Sequence, residues 1–321
     1  MALKNLFLKQ KMMRTVLFAL IPIMIFSVLN FGWRVLCLYI FNIVIACLVE
    51  YLSQAKLYKN KKISEAAIVS AILYTMTLPA SIPFWISAVG IIFAMFFGKA
   101  VFGGFGKNVF NPALVGRVFI YVNFPQPLTI SWNQNSFPAI SNWLTPVIDD
   151  VSMATPMLMF KNGNELASIS DLFFGLVPGS IGETSKLLII LGGIYLIVKK
   201  VASWEIMVSS LIGFTGLSLI LRMMGFDSVL PPFYGILSGG FLFGTVFMAT
   251  DPISAPKTKI AKWCYGIIIG VVTVIIRGFA LFSGGMMFAI LIGNTFGPII
   301  DYAVRKSQQA KKAKQRRWQH E

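Results

Sequence analysis

The chain has 321 residues, of which 56% are hydrophobic and only 12% charged, with a mean hydropathy of +0.75 and a formal net charge of +16. A soluble domain of this composition would expose large apolar patches to water, so lipid is its natural solvent. The apolar runs, such as Ile40 to Val49 and Ile86 to Phe97, are continuous and not alternating. That pattern argues against a barrel of half-buried strands and predicts an all-α integral membrane protein.

Crossing the hydrocarbon layer takes about 20 mostly apolar residues. In chain order the sequence predicts ten spans, near residues 15–32, 35–52, 64–78, 83–97, 109–122, 184–198, 204–221, 233–248, 263–276 and 279–300. The first lacks a small-residue cleavage site and runs into further spans, so no cleavable signal is expected. Of the 28 Lys and Arg residues, 22 fall on one side of this arrangement, among them Arg305, Lys306, Lys311, Lys312, Lys314, Arg316 and Arg317 after the last span. The other side receives Arg34, Lys161, Lys186, Arg222 and Arg277, while Arg117 is left inside the fifth span. The positive-inside rule then puts both termini in the cytoplasm. It also accounts for the basic tail, so no nucleic acid is expected as a partner.

The chain accordingly divides into a first five-helix half (1–122), an extracytoplasmic loop rich in Pro, Asn, Ser and Trp (123–183), a second five-helix half (184–301) and a basic cytoplasmic tail (302–321). The halves echo each other. Thr77-Leu-Pro79-Ala-Ser81-Ile-Pro83 joins the third and fourth spans, and Thr250-Asp-Pro252-Ile-Ser254-Ala-Pro256 joins the eighth and ninth, both reading T-x-P-x-S-x-P. One connection is expected outside and the other inside, as an inverted repeat of an odd number of spans requires. Proline breaks helices, and freed amides at membrane depth are tolerated where they are buried in protein or line a cavity. These connections are therefore candidate cofactor or ion sites. Asp251 places a carboxylate in the second of them where the first has Leu78, which makes it the candidate for a cation path.

Cys37, Cys47 and Cys264 lie in or beside apolar segments without C-x-x-C spacing and are expected to act as small core residues. His320 is the only histidine, so no His-ligated haem, zinc site or Ser-His-Asp triad is expected, and no residue is assigned as catalytic or as a metal ligand. Gly103-Gly-Phe-Gly106-Lys-Asn108 follows no strand and lacks the G-x-G-x-x-G spacing of a nucleotide fold.

The long loop carries Asp149-Asp150-Val-Ser152-Met153-Ala154-Thr155-Pro156. The run Asp-x-Ser-x-Ala-Thr-Pro resembles the flavinylation motif of the membrane subunits of the Rnf and Na⁺-translocating NADH:quinone reductase (Nqr) complexes. Gly103 to Arg117, Gly179-Ser-Ile-Gly-Glu-Thr184 and Phe247 to Pro256 extend the resemblance over nearly the whole chain, which looks most similar to the D subunit of Rnf. Met153 departs from the pattern, since the family usually has a small residue there.

The resemblance implies an electron-carrying subunit of an ion-translocating (Na⁺ or H⁺) oxidoreductase in a bacterial or archaeal cytoplasmic membrane, not active alone. It implies FMN joined by a phosphoester to Thr155 by a flavin transferase, partner subunits of an Rnf-type complex, and a second flavin, riboflavin, held without a covalent bond. The residues themselves are compatible with this chemistry. Thr155 offers a hydroxyl for esterification, Ala154 leaves room for a donor, and Pro156 keeps a helix from burying the hydroxyl. Ser152 completes the motif. Asp149 or Asp150 suits the metal ion that accompanies the donor's phosphates, and Arg117 and Lys161 are candidates to stabilise the flavin or its phosphate. The competing expectations are an Nqr-type B subunit, a cofactor-free small-solute transporter built on inverted repeats, and a structural scaffold for redox partners.

Overall fold

Backbone amides inside hydrocarbon must bond within their own segment, and the apolar stretches accordingly form helices. In chain order these are α1 (Lys11–Phe31), α2 (Trp33–Tyr58), α3 (Glu65–Met76), α4 (Phe84–Met95), α5 (Pro112–Asn123), the short α6 (Pro125–Thr129), α7 (Pro156–Lys161) and α8 (Ile169–Phe174), then α9 (Lys186–Val198), α10 (Trp204–Met223), α11 (Pro232–Leu237), α12 (Phe241–Phe243), α13 (Lys259–Phe279) and α14 (Gly285–Trp318). The structure, a computed structural model, describes residues 7–59, 62–129, 155–161, 163, 167–183, 185–280 and 284–318. Helices α1, α2, α10, α13 and most of α14 are long and apolar enough to cross a membrane, and α3, α9 and α4 with its π-helical extension to Ala100 are apolar but shorter. Their outward faces carry Phe18, Ile25, Val44, Leu191 and Ile212, the surface of a multi-pass membrane protein.

Each half closes mainly on itself, α2 packing on α3 and α4, α4 on α5, α10 on α13 and α13 on α14, while α1 against α9 and α5 against α14 join the halves. In the second half, helices meet backbone to backbone. A Cβ on Gly213 would lie 2.7 Å from the Ile267 carbonyl oxygen, and one on Gly270 would lie 2.5 Å from the Phe214 nitrogen. Small residues allow this approach where no hydrophobic force between helices exists in lipid. Cys37 and Cys264, expected in the core, are instead exposed on helix surfaces, and Cys47 is half-buried. A thiol is apolar enough to face lipid as readily as core.

The stretch 233–248, expected as one span, is broken. Helix α11 ends at Leu237, Ser238 to Gly240 form an irregular link with Gly239 at φ +60°, and α12 then runs into a π-helical turn over Gly244–Met248. Helix α3 likewise stops at Met76, ahead of Pro79. Both breaks release carbonyls that need donors, and their partners build the site described below.

At the opposite end lie the short parallel strands β1 (Phe7–Leu8) and β2 (Ile63–Ser64). The Glu65 carboxylate accepts from the Gln10 amide at 2.6 Å and from Arg14 at 2.5 Å. Buried Lys99, in the π-helical turn after α4, donates to Glu50 at 2.9 Å and to Ser64 at 2.7 Å. Asp301 of α14 accepts from the Lys257 and Thr258 amides at 2.7 and 2.9 Å. Gly213→Val is expected to force α10 from α13 at about 1–3 kcal/mol, the usual cost of overpacking, read as a lower unfolding midpoint of the purified protein in detergent.

Candidate functional site

The connection Thr77–Pro83 is held from both ends by arginines. Arg34 at the start of α2 donates through Nε to the Ala80 carbonyl at 3.0 Å and through Nη2 to the Ile82 carbonyl at 2.7 Å, its guanidinium 5.0 Å from the Phe84 ring centre. Arg117, a full turn inside α5, donates through Nη1 to the Thr77 carbonyl. The remaining freed carbonyls of α3 accept from the chain ahead of α9, Gly182 N to Met76 at 2.8 Å and Ile181 N to Leu78 at 2.9 Å. The break after α11 is treated the same way. Arg277 of α13 donates through Nη1 to the Gly235 carbonyl at 2.6 Å and through Nη2 to that of Ser238 at 3.2 Å, and Lys186 at the start of α9 donates to the Glu183 carbonyl and, at 3.3 Å, to that of Gly239.

Between these two breaks lies a cavity of ≈ 950 Å³, counting its open mouth. Its polar wall carries Arg117, Lys186, Arg277 and Glu183, and its apolar wall includes Leu114, Leu128, Met157, Met286 and Ile290. The three cations are only 7%, 2% and 6% exposed. Arg277 lies near two rings, 5.7 Å from the centre of Phe214 and 5.9 Å from that of Phe241, and its Nε has no hydrogen-bond partner among the described residues. The Glu183 carboxylate packs against Gly240, where a Cβ would collide with it. Among the described residues none of the three cations has a carboxylate within 4.0 Å, whereas Lys99 sits 2.9 Å from Glu50. One broad apolar wall facing convergent cations suits an anionic ligand with an apolar body.

Of the residues expected from sequence, Arg117 and Thr155 both line this cavity. Thr155 is half-buried just before α7, and its Oγ1 accepts from the Leu158 amide at 3.4 Å. Ser152, Ala154 and Asp150, with Asp149 and Met153, lie outside the described residues. Lys161 stands apart from the cavity wall and donates to the Ala280 carbonyl at 2.7 Å. Asp251 lies elsewhere too, lining a second cavity of ≈ 600 Å³ with Lys99, Asn108, Asn111 and Thr250. Its carboxylate accepts from Ser254 Oγ at 2.9 Å and from the Ile253 amide at 3.3 Å within its own connection. Lys186, Arg277 and Glu183 are the residues that sequence reasoning missed. Lys186 and Arg277 count there as charge on the far side of the membrane and Glu183 as the last residue of the long loop, positions that a one-dimensional topology cannot tell from a buried wall.

A bundle of membrane helices broken at two points, with a cation-lined cavity between the breaks and a threonine hydroxyl on the cavity wall, defines the class, a multi-pass membrane protein with an electropositive internal cavity. Residues 6–310 match the model of the NQR2, RnfD, RnfE family, and the chain belongs to that family. It is 40% identical over 257 residues to a protein of Azotobacter vinelandii named as the B subunit of a Na(+)-translocating NADH-quinone reductase, covering 77% of this chain and 61% of the relative. Proteins of the same name from Pseudoalteromonas atlantica and Klebsiella pneumoniae are 39% and 36% identical, over 78% and 77% of this chain and 62% and 61% of theirs. The chain thus spans about three-fifths of the length of these relatives.

If Gly240 is glycine because the Glu183 carboxylate occupies its Cβ position, the two sites are coupled. Gly240→Ala is expected to lower the unfolding midpoint in an otherwise native chain by an amount equivalent to about 1–3 kcal/mol. In a Glu183→Ala background the same change is expected to be nearly silent. Equal losses in both backgrounds would show that the contact does not constrain residue 240.

Proposed function

We propose that this chain is the electron-carrying membrane subunit of an ion-translocating (Na⁺ or H⁺) oxidoreductase complex, with FMN joined through a phosphoester to Thr155 and seated in the cavity between the halves. The observation that carries this reading is the position of Thr155 on the wall of a cavity whose other walls supply three cations and a broad apolar face. The residues present fit the group. Phosphate and a flavin's electron-rich edge need positive charge, which Arg117, Lys186 and Arg277 supply, and the ring system needs an apolar bed, which Leu114, Met286 and Ile290 supply. The bound isoalloxazine would furnish reversible electron acceptance and release. The protein's own contribution is to hold a cationic field away from water, to anchor that field on backbone carbonyls that cannot move independently of the fold, and to keep bulk solvent off the apolar wall.

The wider architecture belongs to the same proposal. The helices form ten spans in two inverted five-helix repeats, with both termini cytoplasmic and Thr155 on the far side, as the charge asymmetry and the paired T-x-P-x-S-x-P connections suggest. Ser152, Ala154 and Asp150 form the surroundings that a flavin transferase reads. The second cavity, with two asparagine amides beside Lys99 and Asp251, suits the heteroatom edge of a non-covalent riboflavin, and Asp251 marks the route of the coupled cation. The assembly is of Rnf type in our first reading. The names of the relatives favour a second, a B subunit of the Nqr type, and membranes containing the assembled complex distinguish the two by whether NADH-dependent quinone reduction requires this subunit.

Coexpression with a flavin transferase is expected to give an ultraviolet-fluorescent band in denaturing gels that Thr155→Ala abolishes, and a tryptic fragment over residues 118–161 heavier by one FMN phosphoester. An unmodified fragment from native membranes would sink the redox assignment and leave the transporter reading in place.

A further inference from the structure

Four cations are buried among the described residues, and the three in the cavity differ from the fourth. Lys99, equally removed from water, has a carboxylate at 2.9 Å and a serine at 2.7 Å. Among the described residues, Arg117, Lys186 and Arg277 donate only to backbone carbonyls, and the single carboxylate in the same wall, Glu183, lies beyond ion-pair distance of each. A guanidinium carries five N–H donors and an ammonium three. Arg277 spends donors on two carbonyls and leaves Nε without a partner. Burying a cation without a counter-ion costs several kcal/mol, so three such cations around one carboxylate leave a positive excess that an incoming anion relieves.

We propose that this cluster is a receptor for the phosphate of a flavin mononucleotide in its own right, with Lys186 and Arg277 as the phosphate-holding residues, so that the cavity recognises FMN before and without any covalent bond to Thr155. The proposal rests on the reading that the cavity is a flavin site, and adds that affinity resides in the ionic wall and that the bond to Thr155 serves only to make occupancy permanent. Both holding residues come from the second half of the chain, whereas Arg117 comes from the first. Charge-assisted hydrogen bonds of this kind contribute about 1.5–3 kcal/mol each, equivalent to roughly a tenfold to hundredfold difference in affinity.

The test uses the full-length Thr155→Ala chain in lipid nanodiscs, made without a flavin transferase, and titrates it with FMN and with riboflavin while following quenching of flavin fluorescence. Millimolar inorganic phosphate is expected to displace FMN and to leave riboflavin, which the second cavity is read as holding, in place. Lys186→Gln in the same background is expected to lower FMN affinity about tenfold and leave riboflavin affinity unchanged, retained riboflavin binding in the second cavity showing that the fold is intact. Arg277→Lys, which preserves charge, is expected to lose less than Arg277→Gln. Failure of phosphate to compete with FMN, an FMN affinity untouched by Lys186→Gln, or no binding of FMN would each overturn the proposal. The covalent reading is judged separately, by the mass of the wild-type fragment after coexpression with the transferase, so the two fail independently.

Discussion

A carbonyl released from a helix inside a membrane has no water to turn to, and the architecture of this chain follows from how it answers that requirement. The helices α3 and α11 both stop within the bundle, after Met76 and Leu237, and both hand their free carbonyls to long cationic side chains on other helices. Arg117 answers the first break, Arg277 and Lys186 the second. Because the two breaks face one another, the donors converge on a single space. Satisfying the backbone and concentrating positive charge are the same act here, so the site arises from the fold's own requirement and not from residues added to a finished scaffold.

The two ends of the bundle use opposite solutions to the cost of burying charge. Toward β1 and β2, charges meet in pairs, Lys99 with Glu50, Arg14 with Glu65 and, more loosely at 3.8 Å, Arg305 with Asp301. Such pairs are self-contained and ask for nothing further. Around the large cavity, the dipoles of backbone carbonyls stand in for carboxylates. A dipole solvates a cation without cancelling its charge, so the field survives to act on whatever enters.

Much of this is legible in the sequence, and the parts that are not escape it for identifiable reasons. Continuous apolar runs predict helices, and α1, α2, α10 and α13 appear where they are expected. Pro79 and Pro252 mark connections of consequence, and Arg117, a cation stranded mid-span, stands out as unusual and indeed lines the cavity with Thr155. The interruption at Ser238 to Gly240 goes unseen because its residues are small and apolar enough to pass in a hydropathy window. Arg277 and Lys186 go unseen for the converse reason. Each lies at the end of an apolar run, where a basic residue ordinarily anchors a helix at the membrane surface, and only their bonds to the broken stretch Gly235 to Gly239 reveal that the surface there is interior. Asp251 reads in the sequence as an isolated acid, yet Ser254 and the Ile253 amide, three and two residues away, hold it within its own turn. Local capping of this sort is invisible until the turn is built.

The two cavities lie back to back along the same pieces of chain. Arg117 and Leu114 of α5 face one and Asn111 and Pro112 face the other, just as Gly244 and Met248 face the first and Phe247, Thr250 and Asp251 the second. Six residues of helix separate Arg117 from Asn111, a rise of about 9 Å. At an effective dielectric constant near 20, two unit charges at about that spacing interact by about 2 kcal/mol. A unit charge at one end of that stretch would by itself change the affinity for an opposite unit charge at the other by roughly twentyfold. Electrostatic communication across the middle of the protein would then require no hinge, no rotation and no moving element, only a wall less than about two helical turns thick.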